Sequence, residues 1–126
     1  MGESAGVLDR YRTDADDDRR EWRRVQVGFS VHCLRLGRRG IDTAVKVVDL
    51  SPGGLRLDAP AGLDGGDVVE LTFSVGDMKI PVRGLVVYTT TTDAGARQAH
   101  VAFTGLGDAA LEALARLLDS AESGAA

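Results

Sequence analysis

Two short segments hold the side chains best suited to gripping a compact anion. The first is Arg19-Arg20-Glu21-Trp22-Arg23-Arg24, and the second is Asp49-Leu50-Ser51-Pro52-Gly53-Gly54. Guanidinium is planar and permanently charged, and its forked donors match phosphate oxygens two at a time. It also stacks on a purine ring or donates to the O6 and N7 of guanine. Lysine does these things less well, and the first segment contains none. In the second segment, the Asp49 carboxylate suits the N1–H and exocyclic amine of a guanine edge. Ser51 adds a short hydroxyl, and Gly53 and Gly54 are expected to turn the backbone with φ > 0 and let it approach a ligand closely. Taken alone, the arginine run reads first as a solvated basic stretch with Trp22 in the core. The second segment alone reads as an Asx or Ser turn ended by glycines. Together they hold donors for phosphate and an acceptor for a guanine edge, which is what a guanine nucleotide requires.

The elements that must position these segments follow from hydrophobic periodicity. Val25, Val27, Phe29, Val31 and Cys33 alternate with polar or small residues, the period-two pattern of a half-buried strand. A turn over residues 36–40 leads to a β-branched second strand, Ile41 to Val48. Ser51-Pro52-Gly53-Gly54 turns the chain into a short third strand ending at Leu57. Val69, Leu71, Phe73 and Val75 mark a fourth strand after a Pro/Gly/Asp-rich loop. The Gly76-Asp77 turn leads into a long fifth, formed by Met78, Ile80, Val82, Gly84, Val86 and Tyr88. Pro81 lacks an N–H and is expected at an edge or a bulge. A polar loop over Thr89–Gly95 precedes a sixth strand at Ala99, Val101 and Phe103. The period then changes: Leu111, Leu114, Ala115 and Leu118 form one face of a helix, with Asp108 near its positive end. Six antiparallel strands and a terminal helix predict an all-β fold, a small β-barrel whose closure removes exposed edges, with the helix plugging one end or lying along the wall. If the first two strands pair antiparallel, Arg24 and Asp49 converge on one rim.

Composition narrows the function classes. The chain's 126 residues fit one domain. We divide them into an acidic, flexible arm (1–18), a barrel domain (19–122) and a short tail (123–126). The net charge of −4 is carried by the arm, where six acids face two arginines, so the remainder is about neutral. A generic nucleic-acid binder carries a basic excess over its domain, which argues against that class, as does the shortage of stacking aromatics. The lone Cys33 forms no internal disulfide, as in a reducing compartment, and reads as core. His32 and His100 are far apart and the spacing shows no nucleophile–base pair, so no metal, cofactor or catalytic role is expected. With no membrane-length apolar run and no leader-like start, the expected location is cytoplasmic.

The two segments and their order resemble the PilZ domain, the bacterial receptor module for cyclic di-GMP. The pattern RxxxR matches Arg20-Glu21-Trp22-Arg23-Arg24, and DxSxxG matches Asp49-Leu50-Ser51-Pro52-Gly53-Gly54. Leu55-Arg56-Leu57 and the last strand plus helix also fit, so the resemblance spans about residues 19–119. It implies that Arg20 and Arg24 grip the phosphates and stack on guanine. Asp49 and Ser51 would contact a guanine edge, and Gly54 would supply a close turn. A basic Arg19 just before the motif implies binding of an intercalated ligand dimer. The implied protein is a non-enzymatic adaptor, a monomer or weak homodimer, in bacterial motility or biofilm signalling. Its ligand would order the Arg-rich segment over the barrel and alter a surface for a partner protein. The competing reading is a structural partner in pilus or motility machinery that uses the same fold without nucleotide.

Overall fold

The computed structural model of the chain describes residues 25–37 and 39–123. The alternation that begins at Val25 is read directly in burial: Val25, Val31 and Cys33 are buried, while Gln26, Ser30 and His32 are exposed. The chain runs through β1 (Val25–Gln26), β2 (Ser30–Arg35), β3 (Asp42–Ser51), β4 (Gly54–Asp58), β5 (Val68–Val75), β6 (Met78–Thr91), β7 (Arg97–Phe103) and the helix α1 (Asp108–Ser123). Six of the strands close an antiparallel barrel in the order β3-β2-β5-β6-β7-β4, with β4 returning to β3. Closure gives each of the six a neighbour on both sides over at least part of its length.

β1 and β2 share one side of β3, and a single long first strand is therefore not what forms. Val25 pairs with Leu50 and Gln26 with Asp49, whereas Ser30 pairs with Lys46, a register displaced by one residue. Residues 27–29 absorb the difference, with the Val27 N–H donating to the Val48 carbonyl and the Val47 N–H to the Phe29 carbonyl, both within 3.0 Å. β6 runs to Thr91, because Thr89–Thr91 pair with Ala99, Gln98 and Arg97 rather than forming a loop. Pro81 sits opposite Thr72 of β5 on a stretch of β6 that precedes the first β7 pair at Gly84, so its missing N–H costs no second ladder bond. The Gly76-Asp77 hairpin joins Val75 to Met78, and Gly76 takes the left-handed φ of 61° that such a two-residue turn favours.

One aliphatic core fills the barrel, including Val47, Leu50, Leu55, Leu57, Leu71 and Phe73. Burying each such side chain contributes about 1.5–3 kcal/mol before entropy is subtracted. Phe73 lies edge-on to Phe29 at 6.1 Å and to Phe103 at 6.4 Å, the arrangement ring quadrupoles favour. Cys33 is fully buried, and loss of solvation pushes its thiol up to about 11, so it is core rather than nucleophile. The helix packs on β1, β3 and β6 and adds Ala110, Ala113, Leu114, Ala115 and Leu118 to the core. β3 and β6 stand opposite each other on the six-stranded ring, so a helix touching both crosses the barrel's end as a plug. No helix among the described residues is long and apolar enough to cross a membrane.

Candidate functional site

β3 starts with Val45 and Val47 inward, and unbroken alternation would put Asp49 and Ser51 in the core as well. The β3–β4 register slips between Val47 and Asp49, leaving Val48 as the extra residue of a bulge. Beyond it the phase is reversed: Leu50, paired with Leu55, enters the core, and Asp49 and Ser51 turn to the outer face. The apolar spacing 45, 47, 48, 50 carries this signal in the sequence, as two adjacent valines followed by a skipped position.

Asp49 lies opposite Arg56 of β4, with Arg56 Nη2 2.6 Å from its Oδ2. The carboxylate is buried although it faces outward, and Arg56 is about one-third exposed. A charge-assisted hydrogen bond this short fixes both groups. The Nε of Arg56 is buried with no hydrogen-bond partner among the described residues. Two positions on, Ser51 pairs with Gly54 across a two-residue hairpin made by Pro52 and Gly53. The Gly53 N–H donates to Ser51 Oγ, and that hydroxyl donates to the Gly54 carbonyl, each at 3.3 Å. Asp49 and Ser51 are the buried polar side chains of the described residues.

The glycines do not act as expected. Neither Gly53 nor Gly54 has a positive φ. Gly54 is required instead by packing: a Cβ there would lie 2.1 Å from the Val101 carbonyl oxygen of β7. Its role is to let β4 and β7 approach beneath the site.

The arginines Arg19, Arg20 and Arg24, with Trp22 and Arg23, lie outside the described residues, as does the arm 1–18. What the structure describes is the backbone they lead into. Val25, next after Arg24, is paired with Leu50, and Gln26 with Asp49, so this end of the first strand runs antiparallel beside Asp49–Ser51.

The register also continues the outer-face row from Arg56 across the next strands, which the sequence did not suggest. Arg56 pairs with His100 of β7, and His100 with Tyr88 of β6. Tyr88 and His100 stack with ring centroids 4.3 Å apart and planes at 26°, and His100 Nε2 is 3.1 Å from Thr90 Oγ1. Unbroken alternation from Ile80 and Val82 would put Tyr88 on the inward face of β6. It is 51% exposed, because a second register slip, between Val86 and Tyr88, makes Val87 a bulge residue and reverses the phase there. Met78, in phase with Ile80 and paired with Val75 at the hairpin, is also exposed. His32 points outward and is bonded to Asp42.

The fold is thus a small closed barrel with an acid and a hydroxyl turned outward beside its first strand. The family model for the PilZ domain matches residues 17–120, and the chain belongs to the PilZ family. PilZ domains are non-enzymatic receptor modules. No curated protein matches the chain. Among solved structures it is similar to the Bacillus subtilis inhibitor of motility MotI/DgrA, with 13% identity and a TM-score of 0.65 over 86% of this chain. The chain spans about half of that protein, 53% of its length. It is also similar to the PilZ domain of YcgR from Escherichia coli, solved with c-di-GMP, with 17% identity, a TM-score of 0.62, and 86% of this chain and 95% of that one covered. The PilZ domain of CeSA from a cellulose-synthesizing bacterium matches at 17% identity and a TM-score of 0.59, covering 79% of this chain and 97% of that one. At these identities the likeness is one of fold.

Proposed function

We propose that this protein is a receptor for cyclic di-GMP that passes the signal to a partner protein. The family is one that typically binds this ligand, and both of its sequence motifs are intact in the chain. The observation that carries the reading is the pair Asp49 and Ser51. A bulge turns them outward, yet they are buried, and they lie beside the strand end that follows Arg24.

Arg20 and Arg24 hold the phosphates and stack on guanine, with Arg19 favouring a ligand dimer. Asp49 accepts from the guanine edge and Ser51 assists. In this reading the ligand orders the arginine-rich segment across the barrel, a disorder-to-order switch that alters a surface for the partner. Such a switch works only to the extent that the ligand prefers the ordered state. The setting is the cytoplasm, where this second messenger acts.

Calorimetry with cyclic di-GMP, GTP and a short single-stranded RNA, on wild type and Arg24→Ala, tests the reading. Saturable binding of cyclic di-GMP alone, lost in Arg24→Ala, is expected. Binding that survives in Arg24→Ala sinks the site assignment. No binding by the wild type favours the structural-partner reading.

A further inference from the structure

We infer that the outer-face row Arg56–His100–Tyr88 belongs to the same recognition surface, and that the stacked Tyr88–His100 pair is the platform for a second guanine ring. The inference rests on the cyclic di-GMP reading above and extends it from β3 across β4 and β7 to β6.

Four observations carry it. The row is continuous in register: Asp49 faces Arg56, Arg56 faces His100, and His100 faces Tyr88. Three strand spacings of about 4.8 Å place its ends roughly 14 Å apart. One guanine held at Asp49 does not cover that span, whereas a ligand with two guanines, or two ligands side by side, does. Second, the platform is already assembled. Tyr88 lies nearly parallel to His100, whose Nε2 is within hydrogen-bond distance of Thr90, and at its other neighbour Arg56 is fixed by Asp49. Third, a half-exposed aromatic on a barrel wall offers a π-face that any purine accepts, at small entropic cost because the side chain has two torsions. Fourth, Tyr88 reaches the outer face through the bulge at Val87, just as Asp49 does through the bulge at Val48. Bulges commonly re-aim a side chain beside a binding site. Both ends of the row depend on one.

The shared chemistry is a guanine ring, which comes either from the second base of the same molecule or from a second molecule. Stoichiometry tells these apart: one ligand per chain for the first, two for the second.

The test is calorimetry with cyclic di-GMP on wild type, Tyr88→Ala, Tyr88→Trp and Asp49→Ala, with circular dichroism confirming that each variant is folded. Stacking is worth about 1–3 kcal/mol per base, so Tyr88→Ala is expected to weaken binding about 5- to 150-fold or to remove the second ligand from the stoichiometry. Tyr88→Trp restores both, which a merely structural tyrosine would not predict. Asp49→Ala abolishes binding. Tyr88→Ala that binds as tightly and with the same stoichiometry as wild type, while Asp49→Ala does not bind, overturns the platform and leaves the receptor reading standing; it is also the result expected if Tyr88 and its apolar neighbours Leu85 and Val87 serve a protein partner instead. A wild type that does not bind overturns both.

Discussion

Arg56 Nη2 stands 2.6 Å from Oδ2 of Asp49, a contact between a buried carboxylate on β3 and a guanidinium on β4 that is one-third open to water. Removing one partner of a fully buried pair costs about 3–5 kcal/mol, and water around Arg56 reduces that. Arg56→Ala is therefore expected to lower stability by about 1–3 kcal/mol in urea titration. The double variant Asp49→Ala/Arg56→Ala should lose less than the sum of the singles, since the contact is lost only once. Strictly additive losses would show the pair to be energetically independent.

Gly54 and Gly84 both face Val101, but different parts of it. A Cβ at Gly54 would be 2.1 Å from the Val101 carbonyl oxygen, and one at Gly84 would be 2.4 Å from its Cγ1. Backbone in a paired strand has nowhere to go, whereas a side chain can be shortened. Gly54→Ala and Gly84→Ala should each destabilise by about 1–3 kcal/mol, with Gly54→Ala the larger. Adding Val101→Ala should relieve Gly84→Ala and leave Gly54→Ala unrelieved. Thermal denaturation of the four variants reads this out, and relief of both by Val101→Ala would contradict the backbone assignment.

Cys33 makes stability fall at alkaline pH. Its thiol ionises near 9.0 when unfolded and near about 11 when buried, so between these values the unfolded chain has released a proton that the native chain keeps. With fewer protons on the unfolded state, stability declines as pH rises through this window. The contribution is complete below about pH 9 and gone above about pH 11. Cys33→Ala should lack this slope in urea titrations at pH 8, 9 and 10, while losing stability overall from the cavity. An unchanged slope would locate the titration elsewhere.

Arg97 holds the loop between β4 and β5. Its Nη2 donates to the Leu63 carbonyl at 2.8 Å and lies 3.0 Å from Asp64 Oδ1 and 3.4 Å from Thr89 Oγ1. Leu63 is fully buried, so the clamp keeps a loop residue in the core. Arg97→Ala should accelerate amide exchange at Leu63, Gly66 and Asp67, whose N–H groups bond to Pro60, Val86 and Asp64. Global stability should fall by only about 1 kcal/mol. Unchanged exchange at these amides would show that Leu63 packing alone holds the loop.

Much of the architecture could be read from the chain because it rests on local pattern. The alternation from Val25 to Cys33, the Gly76-Asp77 turn and the helical spacing of Leu111, Leu114, Ala115 and Leu118 each appear as expected in burial or pairing. So did the antiparallel approach of the first strand to Asp49, since neighbouring strands joined by a short turn pair that way. The two motifs needed no structure to be seen. Tertiary structure decided which way Asp49 and Ser51 point. Alternation predicts a face only while a strand stays in one register, and register is set by the partner strand, which is distant in sequence. The slips at Val48 and Val87 carry Asp49 and Tyr88 from the inner to the outer face. Pairing across β3, β4, β7 and β6 then draws Asp49, Arg56, His100 and Tyr88 into one row. The close approach of Val101 likewise explains Gly54, where the type of residue was legible and its reason was not.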